Sequence, residues 1–262
     1  MSRIDYLWLN LRELPYFRAF LRAIEGRFYE GLDLSGPVLD LGCGDGSFAR
    51  ITFEQTLDIG IDPWSGPIRK AVTTRAYKLV VQGDGHQMPI PDESFGCVIS
   101  NSVLEHIPDL EPVLEDVARV LKSGGFFYFC VPNHQFLPNL SIAKFFDRVH
   151  LGGLARLYRN FFNRIARHYH CYNPEKWNEL LGRAGFEIVD WWHYFSPQAL
   201  AVLEWGHYFG LPSAVAHVLF RKWILVPEPW NLRLPQRIVQ KFYNENPRTH
   251  EGTCTFYIAR KR

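Results

Sequence analysis

Apolar residues recur along this chain with two different periods. Leu7, Leu11, Leu14, Phe17, Leu21, Ile24 and Phe28 return every three or four positions, so residues 6–30 predict helix. Pro15 lies inside that run and predicts two helices, because its ring removes an amide donor and clashes with the turn before it. The pattern then changes to short, mostly apolar runs at 37–41, 57–61, 78–82, 95–100 and 126–131. Each is too short for a buried helix and stops at a Gly, Asp, Asn or Pro, so each predicts a strand covered on both faces. Helical spacing fills 48–53, 68–77 and 110–122; Ser123-Gly124-Gly125 follows the last and predicts its C-terminus. Strands alternating with helices predict βαβ units with right-handed crossovers, an α/β fold with a doubly wound, mostly parallel sheet.

The carboxy-terminal half continues less regularly. Asn173 and Pro174 open a helix to residue 183, strand 186–192 follows Gly185, and an alternating aromatic strand covers 253–259, the seventh. Two segments depart from the alternation. In 133–172, Arg156, Arg159, Arg164 and Arg167 fall within an arc of about 140° on a helix. Leu154, Tyr158, Phe161 and Ile165 take the opposite face. Such a helix is a solvated lid, or it meets an acidic group or an anionic surface. The stretch 191–232 is crowded with aromatics, including Trp191, Trp205, Phe209 and Trp223, and Gly210-Leu211-Pro212-Ser213 divides it into two helices. Those aromatics pack a core, wall an apolar acceptor pocket beside the 133–172 lid, or face a membrane. Glu204, Gly206, Gly210, Pro212, Arg221 and Lys222 interrupt the segment too often for a bilayer span.

Composition narrows the classes. At 47% apolar and 21% charged, the 262 residues exclude a disordered chain, a collagen-like repeat and a coiled coil. A net charge of +2 gives no support for nucleic acid as a partner. Cysteines at 43, 97, 130, 171 and 254 form no Cys-x-x-Cys pair and are odd in number, so neither a disulfide framework nor a metal site is expected. The first ten residues lack an apolar signal region, which reads as a cytoplasmic protein, with peripheral membrane contact left open. We expect one domain over 1–262: a helical cap at 1–35, a cofactor-binding half at 36–132, a lid at 133–172 and an aromatic insertion at 195–250.

Val38-Leu39-Asp40-Leu41-Gly42-Cys43-Gly44-Asp45-Gly46 carries the strongest chemical signal. It follows a strand and opens a helix, where glycines permit a sharp turn and free amides face a ligand. Asp62 lies 20 residues after Gly42, at the tip of the second strand, where a carboxylate accepts both ribose hydroxyls. Asp84, at the tip of the third, is placed to meet the base. A dinucleotide fingerprint needs a glycine where Ser47 stands, so a nicotinamide-dependent oxidoreductase is the weaker alternative.

These residues resemble motif I of the class I S-adenosylmethionine-dependent methyltransferases, of the small-molecule, type 11-like kind. Gly60-Ile61-Asp62-Pro63, Gly83 to Phe95, Asn101 to Asp109 and Leu121 to Gly125 continue the resemblance in order, over about 35–132 and again 168–192. It implies a Rossmann-like methyltransferase fold and S-adenosylmethionine as cofactor. Asp40, Gly42, Cys43 and Gly44 would line its methionine end, Asp62 its ribose, Asp84 with the Gly85 backbone its adenine, and Asn101 its sulfonium region. The chain departs from the family at Gly96, commonly Asp, and at Gly85, commonly Ala. A non-catalytic cofactor-binding protein of the same fold is the other alternative.

Methyl transfer is an in-line displacement, so the protein's task is alignment and exclusion of water. A hydroxyl acceptor also needs a base, and His is suited to neutral pH. His134, just past the fifth strand, and His106, in the Glu-His-Ile-Pro stretch, are the candidates; His168 and His170 read as lid residues. The acceptor is a small molecule, a glycan or a lipid-linked compound.

Overall fold

A computed structural model describes residues 4–262, so Met1 to Arg3, the start of the amino-terminal reading, lie outside the described residues. The elements in chain order begin with α1 (Tyr6–Leu11), α2 (Tyr16–Phe28), β1 (Val38–Leu41), α3 (Ser47–Thr52), β2 (Leu57–Asp62), α4 (Ser65–Thr74) and β3 (Tyr77–Gln82). Then come β4 (Phe95–Asn101), α5 (Glu111–Val120), β5 (Leu121–Pro132), α6 (Ser141–Arg148), α7 (Gly152–Ala166) and α8 (Pro174–Arg183). The chain closes with β6 (Phe186–Tyr194), α9 (Pro197–Phe209), α10 (Leu211–Phe220), α11 (Pro229–Tyr243) and β7 (Cys254–Lys261). They divide into two compact units. A sheet unit comprises 31–134, 167–192 and 254–262; a helical unit comprises 1–30, 135–166 and 193–253.

The sheet unit has the expected α/β architecture, a seven-stranded sheet in the order β3-β2-β1-β4-β5-β7-β6. Strands β3 to β5 run parallel, and β7 is antiparallel to β5, with Phe129 opposite Tyr257. The mostly apolar runs are explained by burial on both faces: Leu39, Val98, Phe127 and Phe129 are fully covered. Phe129 stacks on Tyr257 at 4.8 Å between ring centroids and meets Trp177 of α8 at 5.0 Å. Helix α4 ends at Thr74 rather than at 77, and the end of α5 also departs from the sequence reading. Helix α5 stops at Val120, and Leu121 pairs with Phe95 as the first residue of β5. Gly124 is therefore not a helix cap. Its φ of +75° and the register shift at Phe95/Cys97 put the glycines in an irregular stretch of strand. Burying Leu121 completely outweighs the local preference of the glycines.

In the helical unit Pro15 separates α1 from α2 as its ring requires, and the Asp5 carboxylate accepts from Trp8 N at 2.9 Å to cap α1. Helix α9 lies against α2 because Gly206 has no side chain: a Cβ there would fall 2.2 Å from that of Phe17. Two buried carboxylates are held by donors. Glu204 Oε2 accepts from Ser141 N at 2.5 Å and Ser141 Oγ at 2.6 Å, and Oε1 accepts from Ile142 N at 3.1 Å, so a carboxylate on α9 caps α6. Glu25 Oε1 accepts from Tyr194 OH at 2.9 Å.

Gly210 does divide the aromatic segment into α9 and α10, but a third helix, α11, follows. Pro229 and Pro235 disguised it; Pro229 occupies the first turn, and Leu232, Val239 and Phe242 bury one face around Pro235. The basic helix α7 also differs from its expected pattern. It buries Ala155 and Phe162, leaving Leu154, Phe161 and Ile165 exposed. Arg159 leaves the basic side to pair with Asp147 at 2.5 Å and Leu137 O at 3.2 Å.

Candidate cofactor and acceptor site

The predicted nucleoside-binding residues gather in the sheet unit where β1, β2 and β4 end. Gly42, Gly44 and Gly46 have φ of +78°, +56° and +77°, a left-handed run that only glycine adopts without strain. Gly42 N and Cys43 N both donate to Ile61 O, at 2.8 and 3.0 Å, which pins the turn to β2. A Cβ on Gly42 would meet Val103 at 2.4 Å, whereas one on Gly44 would meet nothing within 4 Å. Gly44 thus presents bare backbone to open space, the surface a ligand can approach.

Asp40 and Asp62 are both buried beneath this turn. Asp62 Oδ2 accepts from Gly44 N at 3.0 Å and Oδ1 from Trp64 N at 2.9 Å, so the expected ribose carboxylate also shapes the turn. Asp40 Oδ2 accepts from Tyr77 OH at 2.6 Å. Burial, then the Asp40 charge, pushes the Tyr77 phenol above its ordinary value and keeps it a donor. Burial, reinforced by Asp40 and Asp62, likewise keeps the Cys43 thiol protonated. Tyr77 was not marked by any sequence motif; the apolar spacing read it as the end of a helix over 68–77, whereas it opens β3.

The remaining positions differ in exposure. Asp84 is exposed; its Oδ1 accepts from His86 N at 2.9 Å and lies 3.3 Å from His86 Nδ1. Gly85 is closely packed: a Cβ there would meet Val113 Cγ1 at 2.9 Å and Leu41 Cδ1 at 3.2 Å. That packing accounts for glycine where the family commonly has alanine. Asn101 is buried at the end of β4, with Cys130 Sγ 2.9 Å from its Oδ1.

Past β4 the chain makes one 3-10 turn, Leu104–His106. The loop before α8 is tied to it by three hydrogen bonds: Tyr169 N to Glu105 O at 2.7 Å, His106 Nδ1 to Arg167 O at 3.0 Å, and His170 Nε2 to Ile107 O at 2.8 Å. A backbone carbonyl only accepts, so Nδ1 of His106 carries the hydrogen and Nε2 is left for a proton. That Nε2 lies 3.7 Å from Oε1 of Glu105, which is buried. The same ties bring His168 within 5.5 Å of His106 between ring centroids, and one ligand atom from each of Glu105, His106 and His168 lies within 4.8 Å of the others. No sequence spacing announces this group, because His168 is 62 residues from His106 and only the fold joins them. His134, the other candidate base, is exposed just past β5. Tyr172 and Lys176 stand in the Tyr-x-x-x-Lys spacing of some nicotinamide-dependent enzymes, but Tyr172 packs on Trp177 and Lys176 pairs with Glu179.

This donor set fits S-adenosylmethionine: an open glycine backbone, a carboxylate at the second strand end for a diol, and another at the third for an adenine. Comparison with known proteins agrees. Residues 39–129 match the methyltransferase domain family. The chain is 34% identical to the sterol 24-C-methyltransferase erg6 of Aspergillus fumigatus over 43% of its own length and 32% of that protein, so it spans about a third of that relative. It is 31% identical to a protein of Encephalitozoon cuniculi named as a methyltransferase, over 58% of this chain and 71% of that one. A solved structure from Thermotoga maritima, described as an S-adenosylmethionine-dependent methyltransferase and possible histamine N-methyltransferase, superposes with a TM-score of 0.58 at 17% identity, covering 94% of this chain and 91% of that one. A domain matched across the nucleoside-binding strands, and a relative covered through most of its length, place the chain in one family: it belongs to the class I S-adenosylmethionine-dependent methyltransferases.

Proposed function

We propose that this enzyme methylates a hydroxyl group on a lipid-linked or otherwise apolar acceptor, in the cytoplasm at a membrane surface. The observation that carries the hydroxyl reading is the setting of His106. Its Nδ1–H is fixed on Arg167 O, and Nε2 lies 3.7 Å from the Glu105 carboxylate. A proton taken by Nε2 would be stabilised by that buried charge, which is the arrangement a base for an alcohol needs. A likeness to a sterol methyltransferase supports an apolar acceptor.

Bound S-adenosylmethionine supplies an electrophilic methyl group on a sulfonium. Asp62 and Asp84 hold the nucleoside, the Gly42–Gly44 backbone leaves room for the methionine end, and Asn101 lies at the strand end beside them. His106 receives the acceptor's proton, Glu105 steadies the resulting imidazolium, and Arg167 O holds the ring's tautomer. His134 is then an acceptor-side contact.

Methyl transfer to alcohols of graded hydrophobicity, presented in detergent, tests this reading. With the preferred acceptor, His106→Ala should lower turnover by roughly 10²–10⁴ and leave affinity for S-adenosylhomocysteine unchanged. Preference for water-soluble acceptors removes the apolar part of the proposal. An undiminished rate in His106→Ala, with loss in His134→Ala instead, moves the base to His134.

A further inference from the structure

The helical unit leaves a large part of its apolar surface without a partner. Helix α10, LPSAVAHVLF, contains no Asp, Glu, Lys or Arg, yet none of its residues is buried. Leu211, Val215, Val218 and Leu219 lie at i, i+4, i+7 and i+8, on one face, and are 63%, 56%, 71% and 67% exposed. The next residues are Arg221 and Lys222, both exposed. Helix α11 follows the same plan. Trp230 and Leu234 are exposed on one face, with Arg233, Arg237 and Lys241 exposed around them. The connection is ordered: His217 stacks on Trp223 at 4.1 Å between centroids, which fixes the turn out of α10.

The charge distribution says what such a face meets. The helical unit holds sixteen Lys and Arg against nine Asp and Glu, and the sheet unit thirteen against eighteen. A nearly neutral chain is therefore split into a unit of net +7 and one of net −5. Among the described residues no helix is long and apolar enough to cross a membrane. An apolar stripe rimmed by Lys and Arg, with Trp at its edge, suits the boundary between lipid headgroups and acyl chains. A second copy of the chain suits it poorly, because self-contact would bring the same basic rims together.

We propose that residues 211–241 dock the enzyme on an anionic lipid bilayer, α10 entering the acyl boundary and Arg221, Lys222, Arg233 and Arg237 lying among the headgroups. This deepens the reading of a lipid-linked acceptor and rests on it for its biological sense, though the binding itself requires neither acceptor nor methyl donor.

Flotation of the purified full chain with vesicles decides the matter. Vesicles of phosphatidylcholine with one quarter phosphatidylglycerol should carry the protein at low salt and release much of it at high salt; pure phosphatidylcholine should carry far less. Arg221→Ala with Lys222→Ala should weaken binding roughly 25-fold, at about fivefold for each basic residue near such a surface. Val218→Asp with Leu219→Asp should abolish it. Both pairs change exposed side chains; unaltered binding of S-adenosylhomocysteine together with unaltered protection of the α2 and α9 amides shows that both units of the variants are folded. Equal flotation of wild type and the Asp variant, or no flotation at low salt, overturns the proposal. So does a dimer in solution that the Asp variant converts to a monomer. If docking fails while a detergent-solubilised apolar alcohol is methylated, the proposed function stands without it. If vesicles bind and no alcohol is methylated, the reverse holds.

Discussion

The two units of this chain differ in what their apolar helices and strands bury. In the sheet unit every strand from β1 to β7 finds a neighbour, and Phe127, Phe129, Trp177 and Tyr257 pack where no water reaches. In the helical unit α10 buries nothing, although Leu7, Phe20, Phe162 and Leu200 of the other helices are wholly covered, and Glu25 and Glu204 are buried among them. A sheet must satisfy backbone donors and cover two faces, so its apolar residues are committed to the fold. A helix satisfies its own backbone and is free to keep a face for something outside the chain. The sheet unit's surplus of acid and the helical unit's surplus of base follow the same division.

If the helical unit depends on its buried polar ties more than on apolar packing, breaking one should have the largest effect on stability. Glu204→Ala removes the acceptor for Ser141 N, Ser141 Oγ and Ile142 N and uncaps α6. We expect a loss of about 3 kcal/mol, since stranded buried donors cost far more than an average hydrogen bond contributes. Hydrogen exchange should show α6 and α9 opening while β1, β4 and β5 stay protected; an equal loss of protection in both units would erase the contrast. The complementary change, Asp62→Ala, should cost about 1.5–3 kcal/mol of S-adenosylhomocysteine affinity, roughly 10- to 150-fold. Calorimetry should find Asp62→Asn closer to wild type, because one oxygen remains for Gly44 N or Trp64 N. Vesicle flotation should be unchanged in both.

The same contrast decides what could be read in advance. The seven strands and their order of motifs were legible because a buried parallel strand writes itself as a mostly apolar run, and because Gly42 and Gly44 need left-handed backbone that other residues resist. Asp62 and Asp84 were marked by the strand ends they follow, whereas Asp40 and Asn101 were implied only by the resemblance to the methyltransferases. Tyr77 was marked by neither, since its partner Asp40 is 37 residues away and an aromatic carries no sign of its role. The grouping of Glu105, His106 and His168 depends on three hydrogen bonds across 61–64 residues of sequence. In the helical unit, periodicity marked apolar stripes correctly but not which stripe is covered. On α7 the stripe through Leu154, Phe161 and Ile165 looked like the packing face, and Ala155 and Phe162 are the residues buried. A stripe meant for a core and one meant for an outside partner have the same spacing.

A smaller effect should come from restoring the family's common residue beside Asp84. Gly85→Ala places a methyl 2.9 Å from Val113 Cγ1 and 3.2 Å from Leu41 Cδ1, both fully or nearly fully buried. Overpacking of this kind costs about 1–3 kcal/mol. Val113→Ala, made together with it, should recover part of the loss, and urea unfolding of the two single variants and the pair measures that coupling. Strict additivity would mean that the site relaxes without meeting Val113.

The smallest expected effect is a pH dependence confined to the helical unit. His207 on α9 lies between Phe17 and Phe162, with ring centroids at 4.8 and 5.3 Å, and donates Nδ1–H to Leu203 O at 2.9 Å. Burial is the first cause of a lowered pKa, the nearby Arg18 adds to it, and the Leu203 carbonyl and Glu204 oppose it. A histidine whose folded pKa lies below its unfolded value of about 6.5 is held neutral by the fold. Its contribution is complete above that pH and is lost as the pH falls toward the folded value, because the unfolded chain binds the proton first. One such group sets a slope of no more than about 1.4 kcal/mol per pH unit. Between pH 7.5 and 5.5, then, amides of α2, α7 and α9 should lose protection as acid is added, protection being exchange relative to that of the unfolded chain at the same pH. In His207→Gln this acid sensitivity should shrink, since the new side chain has no proton to gain. If the acid response persists undiminished in His207→Gln, His207 is not its source. If the β4 and β5 amides respond as steeply as those of α9, the two units do not open independently.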